Sequence, residues 1–275
     1  MIILAGTPIG NLGDASRRLV EVLSEATTIA AEDTRTTQRL LQALGIANRP
    51  RLIPLHDHNE KRVSAELVER ARDEDVLVLS DAGMPTVSDP GYGLVAAAAE
   101  AGVEVTAIPG PSAVLTALAV SGLPTDRFAF EGFVPRKQGD RARAFAAVAD
   151  DPRTLVFFEA PSRTAQTLAD MALAFGADRR GVVARELTKL HEQVVRGTLA
   201  DLAEWAAGGV RGEVVLVVAG ADPRGLSLDD ALARVAALVE QGSRLKDATR
   251  EVATAAGIPA RELYDAHLAA TKPAR

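Results

Sequence analysis

Short apolar runs of β character alternate with amphipathic helical stretches over the first 110 residues, and this alternation leaves few folds open. Residues 2–5, 27–31, 52–55, 75–80 and 103–108 read as strands. Helices are expected between them. The first runs from about Asp14, with Leu19, Val22, Leu23 and Ala26 on one face; the others cover 34–44, ended by Gly45, then 60–72 and 94–101. Val76-Leu77-Val78-Leu79 is apolar at every position, which suits a strand covered on both faces. Such a succession predicts a mainly parallel sheet with helices on both sides.

A second block begins near Pro109-Gly110-Pro111. Strands are expected at 128–134, 154–158, 182–186, 194–197 and 214–219, with helices at 113–121, 141–149, 164–175 and 199–206. Several of these strands follow one another too closely for a crossover helix, so some must pair antiparallel. The tail from Leu226 is helical. Ser227 suits the N-cap of a helix over 228–241 that Gly242 ends, Ser243 suits the cap of 244–256, and Pro259 stands near the start of a third helix to Leu268. Three short helices with small turns form either a helix-turn-helix unit or a bundle that only packs or dimerises. The expected organisation is therefore an α/β domain over 1–110, a second over 111–222 and a helical extension over 226–272.

Charge and composition exclude several classes. The net charge is −6. Residues 1–110 hold 10 Lys/Arg against 16 Asp/Glu, while the rest hold 21 of each. Contact with nucleic acid would have to come from local basic patches. The absence of cysteine excludes disulfides, thiolate metal sites and cysteine nucleophiles. No run reaches the ~18 apolar residues of a membrane span. The first residues lack the basic region and apolar core of a signal peptide. A cytoplasmic protein is expected.

Ligands of doubly wound sheets bind at the carboxyl ends of the strands, and there this sequence is most unusual. Gly6-Thr7-Pro8-Ile9-Gly10-Asn11-Leu12-Gly13 follows the first strand. It matches neither the dinucleotide fingerprint nor a P-loop, and is either a ligand loop or an ordinary tight turn. Ser80-Asp81-Ala82-Gly83-Met84-Pro85-Thr86-Val87-Ser88-Asp89-Pro90-Gly91 follows the most apolar strand, and Pro109-Gly110-Pro111-Ser112-Ala113 a third. In Glu32-Asp33-Thr34-Arg35, Asp33 or Thr34 suits a helix cap, while Arg35 has no evident structural task and suits a phosphate. Phe157-Phe158-Glu159 and Arg185-Glu186-Leu187-Thr188-Lys189 end strands of the second block. The cations Arg185 and Lys189 suit a polyanion or a substrate hydroxyl, or they salt-bridge Glu159 or Glu186. His56-Asp57-His58 lacks a third ligand at telling spacing, so no metal is expected.

Taken in order, these loops and Leu55-His56-Asp57-His58-Asn59-Glu60, Gly122-Leu123-Pro124-Thr125-Asp126-Arg127-Phe128 and Glu131-Gly132-Phe133-Val134-Pro135 resemble the ribosomal RNA small subunit methyltransferase I family, within the tetrapyrrole methylase superfamily. The resemblance spans about residues 1–220, and the tail is similar to that family's helix-turn-helix extension. It departs at Met84, where Thr is common, and at Val134, where Leu is common. The first loop does not match the G-x-G-P-G of porphyrin carbon methylases. The resemblance implies a two-domain tetrapyrrole-methylase-like α/β fold with a mainly parallel first sheet and a mixed second one. It implies 2′-O-methylation of cytidine 1402 in 16S rRNA of the small ribosomal subunit, S-adenosyl-L-methionine as methyl donor, and a homodimer.

By the same resemblance, Thr7, Pro8, Gly10, Asp81, Ala82, Gly83, Pro85, Thr86, Pro111, Ser112 and Ala113 hold the donor, with Phe158 and Glu159 added from the second domain. A base is useful because a protonated hydroxyl is a poor nucleophile, and Glu186, Lys189 and Asp81 are the candidates. Lys189 qualifies only if burial or a cation lowers its pKa. For RNA the candidates are Arg35 and Arg185, the patch of Arg136, Lys137, Arg141 and Arg143, and in the tail Arg244 and Lys246, with Arg250 and Arg261 beside them. Two rival classes predict different behaviour. A tetrapyrrole methylase would act without RNA, and a non-enzymatic ribosome-binding factor would bind RNA without transferring a methyl group.

Overall fold

The computed structural model describes residues 1–56, 58–221, 228–240 and 242–270. Met1–Ala147 with Thr154–Ala219 form one compact unit, and Val148–Arg153 with Gly220–Arg275 form another. The expected start of the tail at Leu226 and its cap at Ser227, and Asp57, lie outside the described residues.

The first unit holds two five-stranded sheets. In the first, β1 (Ile2–Ala5), β2 (Thr28–Ala31), β3 (Arg51–Pro54), β4 (Val76–Leu79) and β5 (Val105–Ile108) lie in the order β3-β2-β4-β1-β5. All its pairings are parallel. The period of two in β4 divides its side chains between two cores. Val76 and Val78 join Leu67 of α3 (Glu60–Arg70) and Leu94 of α4 (Tyr92–Glu100). Leu77 and Leu79 join Leu19 and Leu23 of α1 (Arg17–Glu25) and Leu41 of α2 (Thr34–Ala43) on the opposite face.

The second sheet comprises β6 (Phe128–Phe133), β7 (Thr154–Glu159), β8 (Arg180–Arg185), β9 (Gln193–Thr198) and β10 (Val214–Val218), ordered β6-β7-β10-β8-β9. Only β6 and β7 run parallel, and β10 pairs antiparallel with both β7 and β8. One face packs on Val114, Ala117 and Leu118 of α5 (Ala113–Ser121). On the other, Phe157 meets Phe145 of α6 (Gln138–Val148), which in turn meets Phe175 of α7 (Thr164–Phe175), at ring separations of 5.9 and 5.4 Å. α8 (Leu199–Ala207) opens on a capping box between Thr198 and Asp201. The smaller unit carries α9 (Leu228–Glu240), α10 (Leu245–Ala256) and α11 (Ala260–Ala270), packed around Val235, Val252 and Leu263. No described helix is long and apolar enough to cross a membrane.

Several boundaries differ from the sequence reading, each for a local reason. α1 starts at Arg17 rather than near Asp14, because Asn11 Oδ1 accepts the Gly13 N–H and folds Leu12–Asp14 into a 3-10 turn. Ser16 then caps the helix through the Leu19 N–H. The expected cap at Ser243 is not made: the N-cap of α10 is Arg244, whose side chain forms no capping bond. β8 ends at Arg185 because Glu186 turns to φ +51°, outside strand geometry.

Candidate active site

The carboxyl ends of β1, β4 and β5 are drawn together by close backbone contact. A Cβ on Gly6 would lie 2.6 Å from the Gly110 Cα, and one on Gly110 the same distance from the Gly6 Cα. Only glycine allows this crossing. The Thr7 N–H donates to the Gly83 carbonyl at 2.9 Å, and the Gly83 N–H returns a bond to the Thr7 carbonyl at 3.1 Å. Thr7 is itself buried, its hydroxyl facing the Ser80 carbonyl. Thr7 thus ties the first loop to the second. Ser112 accepts the Leu115 N–H and starts α5 at the third loop.

These ends border a cavity of about 360 Å³, within the range of small-molecule sites. The second loop supplies Ala82, Gly83, Met84, Val87 and Asp89, and the third supplies Ser112 and Ala113. Ile9 enters from the first loop. The second sheet closes the cavity with Phe133, Phe158 and the segments 159–161 and 212–215. Phe158 packs edge-on against Phe130 and Phe133 at 4.8 and 5.3 Å, so it is fixed in orientation. Apolar walls with a few backbone polar groups suit a ligand that is part aromatic, part aliphatic.

Of the expected donor-binding residues, Ala82, Gly83, Ser112, Ala113, Phe158 and Glu159 line this cavity. Thr7, Pro8, Gly10, Asp81, Pro85, Thr86 and Pro111 stand beside those that do, within the same three loops. The Glu159 carboxylate serves the frame: it pairs with Arg163 and accepts from the Thr167 hydroxyl at 2.5 Å and the Ala160 N–H at 2.6 Å. Ile9 lies inside the first expected donor loop, whereas Val87, Asp89, Phe133 and the 212–215 segment were not expected as wall residues. Phe133 lies in a motif already singled out and is 64% exposed, a signal for ligand contact. The 212–215 segment carried no signal, because antiparallel pairing alone brings it to the cavity.

A second constellation stands at the end of β8. Lys189 Nζ lies 2.9 Å from Glu186 Oε1 and 3.1 Å from Glu213 Oε2. Its aliphatic stem covers Gly10 so closely that a Cβ there would lie 2.5 Å from the Lys189 Cγ. Glu186 also accepts the Glu213 N–H at 3.0 Å. That backbone bond and the Lys189 ammonium hold its carboxyl below the usual range. Burial pulls Lys189 down, but the two carboxylates outweigh burial and raise it. The condition for Lys189 as a base, a lowered pKa, is therefore not met. Asp81 goes the other way: burial raises its carboxyl, against the Asp33 N–H that donates to it at 3.2 Å. Among the described residues, all four non-glycine positions with left-handed φ fall in these two loops: Thr86, Ser88, Glu186 and Thr188. Strain of this kind collects at functional sites.

The expected RNA contacts divide. Arg141 is corrected: it is 6% exposed, its guanidinium pairs with Asp170 and it donates to the Arg136 carbonyl at 3.2 Å. It anchors α6 to α7 and presents nothing to a partner. Arg143 pairs with Asp140 and stays exposed, as Arg136 and Lys137 do. Arg35 pairs with Asp33 at 2.7 Å and is 80% exposed. That pairing holds the Asp33 carboxyl down at about 2. Arg185 is half-buried, with its Nη1 enclosed. In the smaller unit Arg244 is exposed, and Lys246 borders a groove between α10 and α11 with Arg250, Arg261 and Tyr264.

The profile of the family described as Tetrapyrrole (Corrin/Porphyrin) Methylases matches residues 1–203. The chain is 51% identical to the ribosomal RNA small subunit methyltransferase I of Mycobacterium tuberculosis, over 97% of this chain and 94% of that one. It is 44% identical to the protein of the same name from Xylella fastidiosa, over 95% of this chain and 96% of that one. Among solved structures, the methyltransferase CobJ superposes with a TM-score of 0.59 at 22% identity, covering 80% of this chain and 94% of CobJ. The fold is thus shared with proteins of low identity, and the relatives match nearly end to end. The chain belongs to the tetrapyrrole methylase family and, within it, to the ribosomal RNA small subunit methyltransferase I family.

Proposed function

We propose that this protein methylates the 2′-hydroxyl of cytidine 1402 in 16S rRNA of the small ribosomal subunit, with S-adenosyl-L-methionine as donor. The near-full-length likeness to relatives named for small-subunit RNA methylation carries this reading. The cavity fits the donor. Phe158 and Met84 offer an aromatic face and a flexible apolar wall, and Ala113, the first residue of α5, brings a helix-start N–H beside them. The donor supplies a methyl carbon on a sulfonium, open to in-line attack by a nucleophile.

The chain's own residues then have three tasks. Gly6, Gly110 and the Thr7–Gly83 bridge hold the donor loops at fixed spacing, and such positioning is worth up to about 7–11 kcal/mol in ideal cases. Asp81, beside Ala82 at the cavity edge, is the carboxylate whose basicity moves in the useful direction, and it is our candidate to take the ribose proton. Lys189, kept as an ammonium by Glu186 and Glu213, is a donor to an oxygen of the incoming nucleotide rather than a base. Exposed Arg136, Lys137 and Arg143, with Arg244 and Lys246 of the smaller unit, supply phosphate contacts. We assign the enzyme to the cytoplasm, where its substrate is assembled, and infer a homodimer.

Incubation with tritiated donor and small subunits from a strain lacking this gene tests the reading. Label at one cytidine, resistant to alkali, is the expected result. Label on porphyrin precursors and none on subunits would transfer the reading to a tetrapyrrole methylase. Light scattering at the mass of a single chain would remove the homodimer.

A further inference from the structure

A groove lies outside the donor cavity, along α2. It encloses about 920 Å³ and is bordered by Arg35, Arg39, Gln38, Gln42, Asn48 and Arg49 over a floor that includes Leu41, Ile46 and Leu52. Its lining contains no carboxylate, although all of the chain's net negative charge lies in residues 1–110. Arg35 and Arg39 are one helical turn apart on α2, as are Gln38 and Gln42. Arg49 faces them from the loop before β3. That loop is pinned: Asn48 Nδ2 donates to the Leu23 and Ala26 carbonyls at 2.9 and 2.8 Å, and its Oδ1 accepts the Arg49 N–H at 2.9 Å. Among the described residues Arg39 and Arg49 have no ion-pair partner, and both are exposed. Guanidinium and amide donors on a fixed frame, with no acid paired to Arg39 or Arg49 among the described residues, match a row of phosphate oxygens.

The groove also leads to the reaction site. At its head Arg35 pairs with Asp33, whose N–H donates to Asp81 Oδ1, and Ala82 and Gly83 follow in the cavity wall. We propose that this groove is a track for the sugar-phosphate backbone flanking the target nucleotide, with Arg39 and Arg49 as its phosphate contacts. This rests on the RNA-methylation reading and adds the path the strand takes.

The test compares the wild type, an Arg39→Gln/Arg49→Gln variant and an Arg17→Gln/Arg18→Gln control on exposed α1. Each is measured for KM toward undermethylated small subunits, salt dependence of subunit binding, and donor affinity by calorimetry. The groove variant should raise KM roughly tenfold and flatten the slope of log K against log salt by about 1.4, for two lost single-strand contacts. Donor affinity should stay at the wild-type value, which also reports an intact fold. A KM within twofold of wild type with an unchanged slope overturns the proposal, as does an equal change in the α1 control. Wild-type protein that transfers nothing to subunits defeats the underlying reading, and the track with it, before any variant is compared.

Discussion

Lys189 Nζ lies between the carboxylates of Glu186 and Glu213, and the directions of the Glu186 and Lys189 shifts fix how that pair responds to pH. Glu186 is lowered, so its contribution is present above the ordinary carboxylate range and is lost as pH falls through the lower folded value. Lys189 is raised, so its share is present below the ordinary lysine value and is lost only as pH rises through the higher folded one. The Glu186–Lys189 pair is therefore intact from about pH 5 to 10. The Tm difference between wild type and Glu186→Gln should be constant from about pH 6 to 9 and shrink below about pH 4; a difference that changes across neutrality would contradict the charge state assigned to Lys189. Lys189→Arg should keep more transfer activity than Lys189→Met, and an equal, near-complete loss in both would restore Lys189 as a candidate base. At Gly110 the expectation is steric. Gly110→Ala forces a methyl group into the Gly6 backbone and should cost about 1–3 kcal/mol in chemical denaturation, with donor affinity falling at least tenfold. Arg141→Ala removes a buried guanidinium and leaves half-buried Asp170 with only Gln166, and should cost about 2–4 kcal/mol, whereas Arg143→Ala, at an exposed pair, should cost under about 1 kcal/mol.

At the scale of the element, the start of α4 is set by a residue from another helix. Glu60 Oε1, at the start of α3, accepts the N–H groups of Gly91, Gly93 and Leu94 at 3.0, 2.8 and 3.3 Å. It caps α4 where Gly91 has no side chain to do so, and it fixes the end of the loop that carries Met84, Val87 and Asp89. Glu60→Ala should cost about 1.5–3 kcal/mol in thermal or chemical unfolding and weaken donor binding several-fold; unchanged donor binding would separate this cap from the loop's order. The same contact marks the limit of what the chain's pattern discloses. Strands such as Val76–Leu79 and helices such as Ala113–Ser121 are legible because each is a continuous apolar run bounded by turn and capping residues adjacent in the chain. Parallel pairing was legible from the spacing between strands. The true start of α4 was not, because its cap comes from Glu60, 31 residues before Gly91. Arg141 looked like a basic-patch residue because Asp170, which buries it, lies 29 positions away. The donor loops stood out as clusters of Gly, Pro and Asp. The 212–215 wall did not, since an ordinary strand entry becomes part of a cavity only through the pairing of β10 with β7.

At the scale of the whole molecule, a chain of net charge −6 must hold a polyanion through local fields. Binding to subunits should therefore weaken steeply with salt, because each phosphate contact releases counterions. Donor binding in a largely apolar cavity should change little over the same range; equal salt dependence of the two would place the charged contacts inside the donor site. The central claim is that the crossing of Gly6 and Gly110 builds a methyl-donor cavity from which one ribose is modified. Mass spectrometry of nuclease fragments of 16S rRNA tests it most directly, comparing cells with the gene, without it, and complemented by wild type or Gly110→Ala. 2′-O-methylcytidine at 1402 is expected only with the wild-type gene. Methylation that persists without the gene, or that Gly110→Ala restores fully, would contradict it.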